Sequence, residues 1–166
     1  MELSPEKKIA GVLAPLFALR GQNDLGIGDV ATLREFIQWA AEIGFRLVQM
    51  LPINETGRDN SPYNAISAMA IEPSTLHVAP GSPTELTGED FESVTTAADL
   101  QRLRRGPVKY DAVRKLKQQL LECAFKSFQA NASAPRQSLF EQFCERESEW
   151  LEPYSFFRAL MELNDE

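Results

Sequence analysis

This 166-residue chain has one histidine and two cysteines, so it has little of what builds soft-metal sites or nucleophilic triads. The cysteines, Cys123 and Cys144, lie in stretches of helical pattern with no CxxC partner. They read as reduced, half-buried thiols rather than as a disulfide or a metal pair. The histidine, His77, sits in Ser74-Thr-Leu-His-Val78 with no Ser, Cys or metal partner in view, so a Ser-His-Asp or zinc site is hard to build around it. Basic residues are also short, 17 Lys and Arg against 24 Asp and Glu, a formal net charge of −7. That excess argues against nucleic acid and against anionic membrane surfaces, both of which select a basic patch. The longest apolar run, residues 9–19, contains Pro15 and falls well short of the roughly 20 residues that cross a bilayer. The first eight residues have no signal-peptide layout, and the expected setting is cytoplasmic. Internal repeats and low-complexity tracts are absent.

What remains is ordinary globular material, 43% hydrophobic and 25% charged. Residues 9–17, an apolar run with Val, Ile and Phe, suit a buried strand. A turn-rich loop follows through Gly28, and Asp29 stands where a helix N-cap belongs. Leu33, Phe36, Ile37, Ala40 and Ala41 recur at helical spacing, and Gly44 is placed to end that helix in a left-handed conformation. Residues 45–51, closed by Pro52, read as a second strand. Strand, helix and strand in this span make a βαβ unit with parallel strands. In such folds the loops after the strands' carboxyl ends line the functional face, which directs attention to residues 53–63. After residue 80 the pattern turns helical. Residues 79–83 form an expected linker, and Val113, Leu116, Leu120, Ala124 and Phe128 make the stripe of a long helix. Residues 131–135 break it, Leu139, Phe140 and Phe143 begin another helix, and Pro153 suits the first turn of a third. Two strands do not make a stable sheet alone, so the domain is expected to be incomplete or completed by a partner.

Two motifs carry candidate chemistry. Gly26-Ile-Gly-Asp-Val-Ala31 matches the G-x-G-x-x-A pattern that cradles a pyrophosphate at a helix amino terminus. Here a loop separates it from the strand, and Asp29 would repel phosphate, so a tight turn with an N-cap is the plainer reading. Leu51-Pro-Ile-Asn-Glu-Thr-Gly-Arg-Asp-Asn-Ser-Pro-Tyr63 follows a strand, is polar and ends in an aromatic. Sugars are held by such loops, with hydroxyls on Asn, Asp or Ser and the pyranose face on a flat ring. Ser61 and Tyr63 offer the hydroxyl and the ring, although Pro62 and Tyr63 anchoring the loop is an equal alternative. Retaining glycosyl transfer needs two carboxyl groups about 5–5.5 Å apart. Among Asp24, Asp29, Glu55, Asp59 and Glu72 no spacing supports such a pair, and Glu55 and Asp59 read as solvated loop charge.

Taken together, the residues resemble glycoside hydrolase family 77, the amylomaltases. The resemblance is carried by Gly11-Val-Leu-Ala-Pro-Leu-Phe-Ala-Leu-Arg20 with Leu25-Gly-Ile-Gly-Asp29, and by Phe36-Ile-Gln-Trp-Ala-Ala-Glu-Ile-Gly-Phe45 with Val48-Gln-Met-Leu-Pro52. Thr56-Gly57, Ser61-Pro-Tyr63, Ile66-Ser-Ala68 and Glu72-Pro73 continue it, and Trp150-Leu151, Tyr154 and Phe157-Arg-Ala-Leu160 extend it more weakly. The resemblance implies an α/β protein, the beginning of a (β/α)8 barrel of about two strands followed by a helical insertion. Residues 1–84 would be the first βαβ unit with its substrate loop, and 85–166 the inserted helical subdomain. It implies a 4-α-glucanotransferase that cleaves an α-1,4 glucan bond, retains configuration and needs no cofactor. Ser61 and Tyr63 would contact the maltooligosaccharide. The family's nucleophilic Asp, acid/base Glu and stabilising Asp are expected downstream of Glu166, so no catalytic residue is assigned here. The remainder of the barrel would then be a partner, and the 166 residues alone are expected to be inactive and poorly folded. Arg58 stands where some members carry an aromatic of a second glucan site, which argues against that site. Pro153 replaces a commonly acidic residue, an effect expected only at the helix start. Two rival readings stay open, a non-catalytic glucan-binding piece and a nucleotide-binding α/β protein using residues 26–31.

Overall fold

The structure, a computed structural model, describes residues 8–81 and 85–164. Residues 1–7 of the amino terminus read above for a signal-peptide layout, residues 82–83 of the expected linker and Thr84 at the expected domain boundary lie outside the described residues. Strand β1 (Gly11–Leu13) and strand β2 (Leu47–Gln49) pair in parallel, with Val12 opposite Val48. Helix α1 (Val30–Glu42) forms the crossover between them, as the βαβ pattern requires. The strands are much shorter than the apolar runs that mark them. Their ladder closes with Ala14 N donating to Gln49 O and Arg46 N donating to Ala10 O. Just beyond stand Pro15 and Pro52, which have no N–H with which to extend a ladder. The expectation that residues 9–17 form a buried strand is also corrected. Leu13 is 55% exposed, and Leu47 opposite is 44% exposed, because among the described residues each strand has one hydrogen-bonded neighbour and no second layer over both faces.

Local chemistry explains the boundaries of α1. Asp29 Oδ1 accepts from Ala31 N and Thr32 N, and Thr32 Oγ1 accepts from Asp29 N, a reciprocal capping box. At the other end Gly44 has φ +95°, Gly44 N donates to Ala41 O and Phe45 N to Ala40 O, the paired bonds of a Schellman stop. The loop from β1 into α1 is wound around Asp24. Its carboxylate receives Arg20 Nε and Nη2 at 3.0 and 2.9 Å, together with Gly21 N and Gly26 N. Burial alone would raise this carboxyl's pKa, but the Arg20 guanidinium and the two amides hold it below the usual carboxylate range.

Five further α-helices follow among the described residues: α2 (Gly88–Ala97), α3 (Leu100–Leu103), α4 (Tyr110–Asn131), α5 (Ala134–Arg146) and α6 (Ser148–Leu163). The predicted stripe of α4 is the spine of the core, with Leu116, Leu120 and Ala124 packed on Leu86 and Leu103 and also on Leu25 and Val78 from the other half of the chain. One core thus draws on both stretches. Pro153 does not open a helix as the sequence reading expects. It lies inside α6, whose first turn is closed earlier by Glu147, with Trp150 N and Leu151 N donating to Glu147 O and Trp150 Nε1 to its carboxylate. No helix of the described residues is long and apolar enough to cross a membrane.

Candidate functional site

Residues 50–72 leave the carboxyl end of β2, travel out and return to a 3-10 turn at Pro73–Thr75 that packs on α4. A loop of this length without secondary structure needs internal ties to hold a shape. Two antiparallel bridges, Asn54 with Ile71 and Thr56 with Ala65, draw its arms into a neck. Glu55 N donates to Ala70 O and Ile66 N to Glu55 O at the same level. Above the neck the tip is built by short-range bonds. Asn64 N donates to Ser61 O across a turn with Pro62 at its second position, the place where proline's fixed φ fits. Asp59 accepts from Ser61 N at 3.2 Å and from Asn64 Nδ2 at 2.8 Å, and those bonds, that from Asn64 foremost, hold its carboxyl below the usual range.

This turn brings Ser61 and Tyr63 together on one tip. Tyr63 is 74% exposed, so its ring is not the buried anchor that the sequence left as an equal alternative. Ser61 is half-buried beside it. Beneath the tip a small open cleft runs between the end of β1, the neck and the start of α4, lined by Phe17, Asn54, Thr56, Asn60, Pro62 and Tyr110 among others. Asn60 adopts φ +56°, and its Oδ1 is buried with no hydrogen-bond partner among the described residues.

The acidic residues weighed from the sequence fall into a different pattern from the one expected. Glu55 is not solvated loop charge. It is 4% exposed, accepts from the Tyr154 hydroxyl and lies 3.4 Å from Arg158 Nε. Burial, and then the Glu55 carboxylate itself, push the Tyr154 phenol above its ordinary range. Glu72 is likewise buried. Its Oε2 accepts Thr56 N and Oγ1 at 3.1 and 3.2 Å, its Oε1 accepts Ser74 Oγ at 2.8 Å, and Arg114 Nε stands 3.7 Å away. Arg114 also donates to Gly57 O at 3.3 Å. Of the five carboxylates only Asp59 is exposed, and each of the other four is engaged by a cation or by backbone amides. Tyr154, Arg158 and Arg114 went unassigned in the sequence reading. They lie 99, 103 and 58 residues from their loop partners, and no local pattern marks such pairs.

Asp29 has a second role behind this site. Its Oδ2 lies 3.2 Å from His77 Nδ1 and 3.9 Å from Lys117 Nζ, which also donates to Leu76 O. His77 therefore joins α1 to the chain leaving the loop, a structural part. Lys117 is 1% exposed, and burial lowers its pKa to about 8 against the pull of Asp29 and Asp24. An unfolded lysine near its ordinary value holds the proton longer, so between about pH 8 and 10.4 the unfolded chain binds more protons and stability rises with pH. The denaturant midpoint of the parent should accordingly climb relative to that of Lys117→Met over this window. Parallel curves would show that Lys117 titrates normally.

The nucleotide reading of residues 26–31 does not survive the geometry. The amides at the start of α1 are taken by Asp29, and residues 24–29 are all buried. The glycines serve packing. A methyl on Gly28 would lie 2.0 Å from Leu16 O, and Gly26 has φ +101° against Leu103 and Val113.

Comparison with known proteins agrees with the fold. The sequence profile described as 4-alpha-glucanotransferase matches residues 14–166. A 4-alpha-glucanotransferase of Chlamydia caviae is 35% identical over 150 residues, covering 90% of this chain and 28% of that protein. One from Thermus thermophilus is 32% identical over 151 residues, with 90% and 28% covered. Among solved structures, an amylomaltase from Streptococcus agalactiae in complex with acarbose superposes with a TM-score of 0.67 at 25% identity, covering 94% of this chain and 30% of the other. The chain thus spans less than a third of the length of these relatives.

Proposed function

The chain belongs to the 4-alpha-glucanotransferase family, and on that premise we propose that it supplies the glucan-gripping part of a (β/α)8 enzyme that transfers α-1,4-glucan segments with retention of configuration. The observation that carries this reading is the exposed Tyr63 ring beside Ser61, on a braced loop at the carboxyl end of β2. A flat ring with few rotatable bonds stacks on the apolar face of a pyranose at small entropic cost, and the neighbouring hydroxyl fixes its orientation. That the Streptococcus agalactiae amylomaltase was solved with acarbose supports an α-glucan as the ligand class. The reacting carboxylates belong to segments of the enzyme that this chain does not span, since its own buried acids are committed to structural partners.

Titration of the chain with maltoheptaose tests the reading. Tyr63→Ala should weaken binding by about 1–2 kcal/mol, roughly a tenfold rise in Kd, the scale of one lost aromatic contact. Equal affinity in parent and variant, or binding in neither, would reject the loop as a glucan site.

A further inference from the structure

Within that reading of residues 57–64 as a glucan-binding tip, we infer that Glu55, Tyr154 and Arg158 are positioning residues that hold the tip in its binding shape. The neck is an extended segment in which successive side chains point to opposite sides. Asn54 and Thr56 face the cleft, and Glu55 between them turns the other way, into α6. There its carboxylate is almost fully buried between the Tyr154 hydroxyl and the Arg158 guanidinium. A carboxylate taken out of water is costly unless it is paired and hydrogen-bonded, so this side chain has one favourable place, and the neck is fixed wherever α6 is. The return arm repeats the device. Glu72 binds Thr56 N and Oγ1 from within the loop, while Arg114 of α4 reaches Glu72 and Gly57 O. Two helices of the second half therefore grip the loop from both arms, and the tip between Gly57 and Asn64 lies beyond the Thr56–Ala65 bridge. The α6 clamp decides whether Ser61 and Tyr63 meet the sugar in one arrangement or in many, and a ligand must supply the ordering that the clamp does not.

The test uses Tyr154→Phe, which removes one hydroxyl and leaves the ring against Trp150. Two quantities are read in the 166-residue chain: hydrogen exchange of the Thr56, Asn64 and Ile66 amides against those of Leu116 and Leu120, and affinity for maltoheptaose. A hydrogen bond to a charged group is lost, so the loop amides should exchange about tenfold faster and maltoheptaose affinity should fall by a similar factor, with the α4 amides unchanged. Glu55→Ala should do the same, and Glu55→Gln, which still accepts from Tyr154, should recover most of the loss. Unchanged loop amides would overturn the inference, and so would acceleration of loop and α4 amides together, which is what a merely structural contact gives. If the parent binds no maltoheptaose, the glucan reading fails by itself, and the exchange arm still decides the clamp.

Discussion

Gly28→Ala is expected to abolish the unfolding transition of these residues, which the core packed on α4 makes a unit that can unfold cooperatively. A methyl there would lie 2.0 Å from Leu16 O, 2.5 Å from Leu19 O and 2.9 Å from Leu19 N. All three are backbone atoms of the turn that follows β1, so no side-chain rotation relieves the overlap. Gly28 N also donates to Phe17 O at 3.1 Å, which fixes the approach of the two segments. The turn would have to separate from the start of α1, at a cost above about 4 kcal/mol, where single substitutions become exceptional. Gly44→Ala is the control. Its methyl would meet nothing within 4 Å, and the cost is the strain of an alanine at φ +95°, about 1–2 kcal/mol. Denaturant melts followed by circular dichroism separate the two. A Gly28→Ala chain that melts with the parental midpoint would show that the turn yields easily.

Asp29→Ala should be the next most damaging change, at roughly 3–5 kcal/mol, because it removes a helix cap and strands a buried cation together. Oδ1 caps α1 through Ala31 N and Thr32 N, while Oδ2 stands opposite His77 and Lys117. Asp29→Asn separates these roles. Asparagine caps as well as aspartate, so the cap's share, about 1 kcal/mol, should return. The remainder should persist, because Lys117 still lacks its charge partner. Adding Lys117→Met to Asp29→Asn should then recover much of it, since the cost lies in an unpaired buried ammonium and not in a missing contact. An Asp29→Asn chain as stable as the parent would assign Asp29 to capping alone.

These experiments bear on function through one geometric fact. The loop with the candidate glucan contacts leaves the βαβ unit at Gln49 and returns at the 3-10 turn, and its two arms are ion-paired to Arg114 of α4 and Arg158 of α6. A sugar-binding tip on a loop gains from rigid supports at some distance, where packing locks the rotamers of the supporting side chains. Sequence reasoning placed Ser61 and Tyr63 correctly on one polar loop after a strand. It misjudged Glu55 as solvated, since a carboxylate in a polar stretch reads as surface until the residues that bury it are known.

What the sequence by itself determined is local. The periodicity of residues 33–41 and 113–128, Asp29 at the cap, Gly44 at the stop and the Ser-Pro-Tyr turn all follow from spacings of three or four residues and from the dihedral preferences of single residue types. Pro52 at the end of the second strand was equally visible, whereas the first strand was read through Pro15 and stops at Leu13. Only the tertiary structure decided that Gly26 and Gly28 serve packing rather than phosphate, that Leu25 enters a core built on α4, and that Glu55 and Glu72 are the inner halves of ion pairs. Each of these depends on contacts between residues 9 to 103 positions apart. Such contacts are selected by the burial of the whole chain, and no window of neighbouring residues carries their signal.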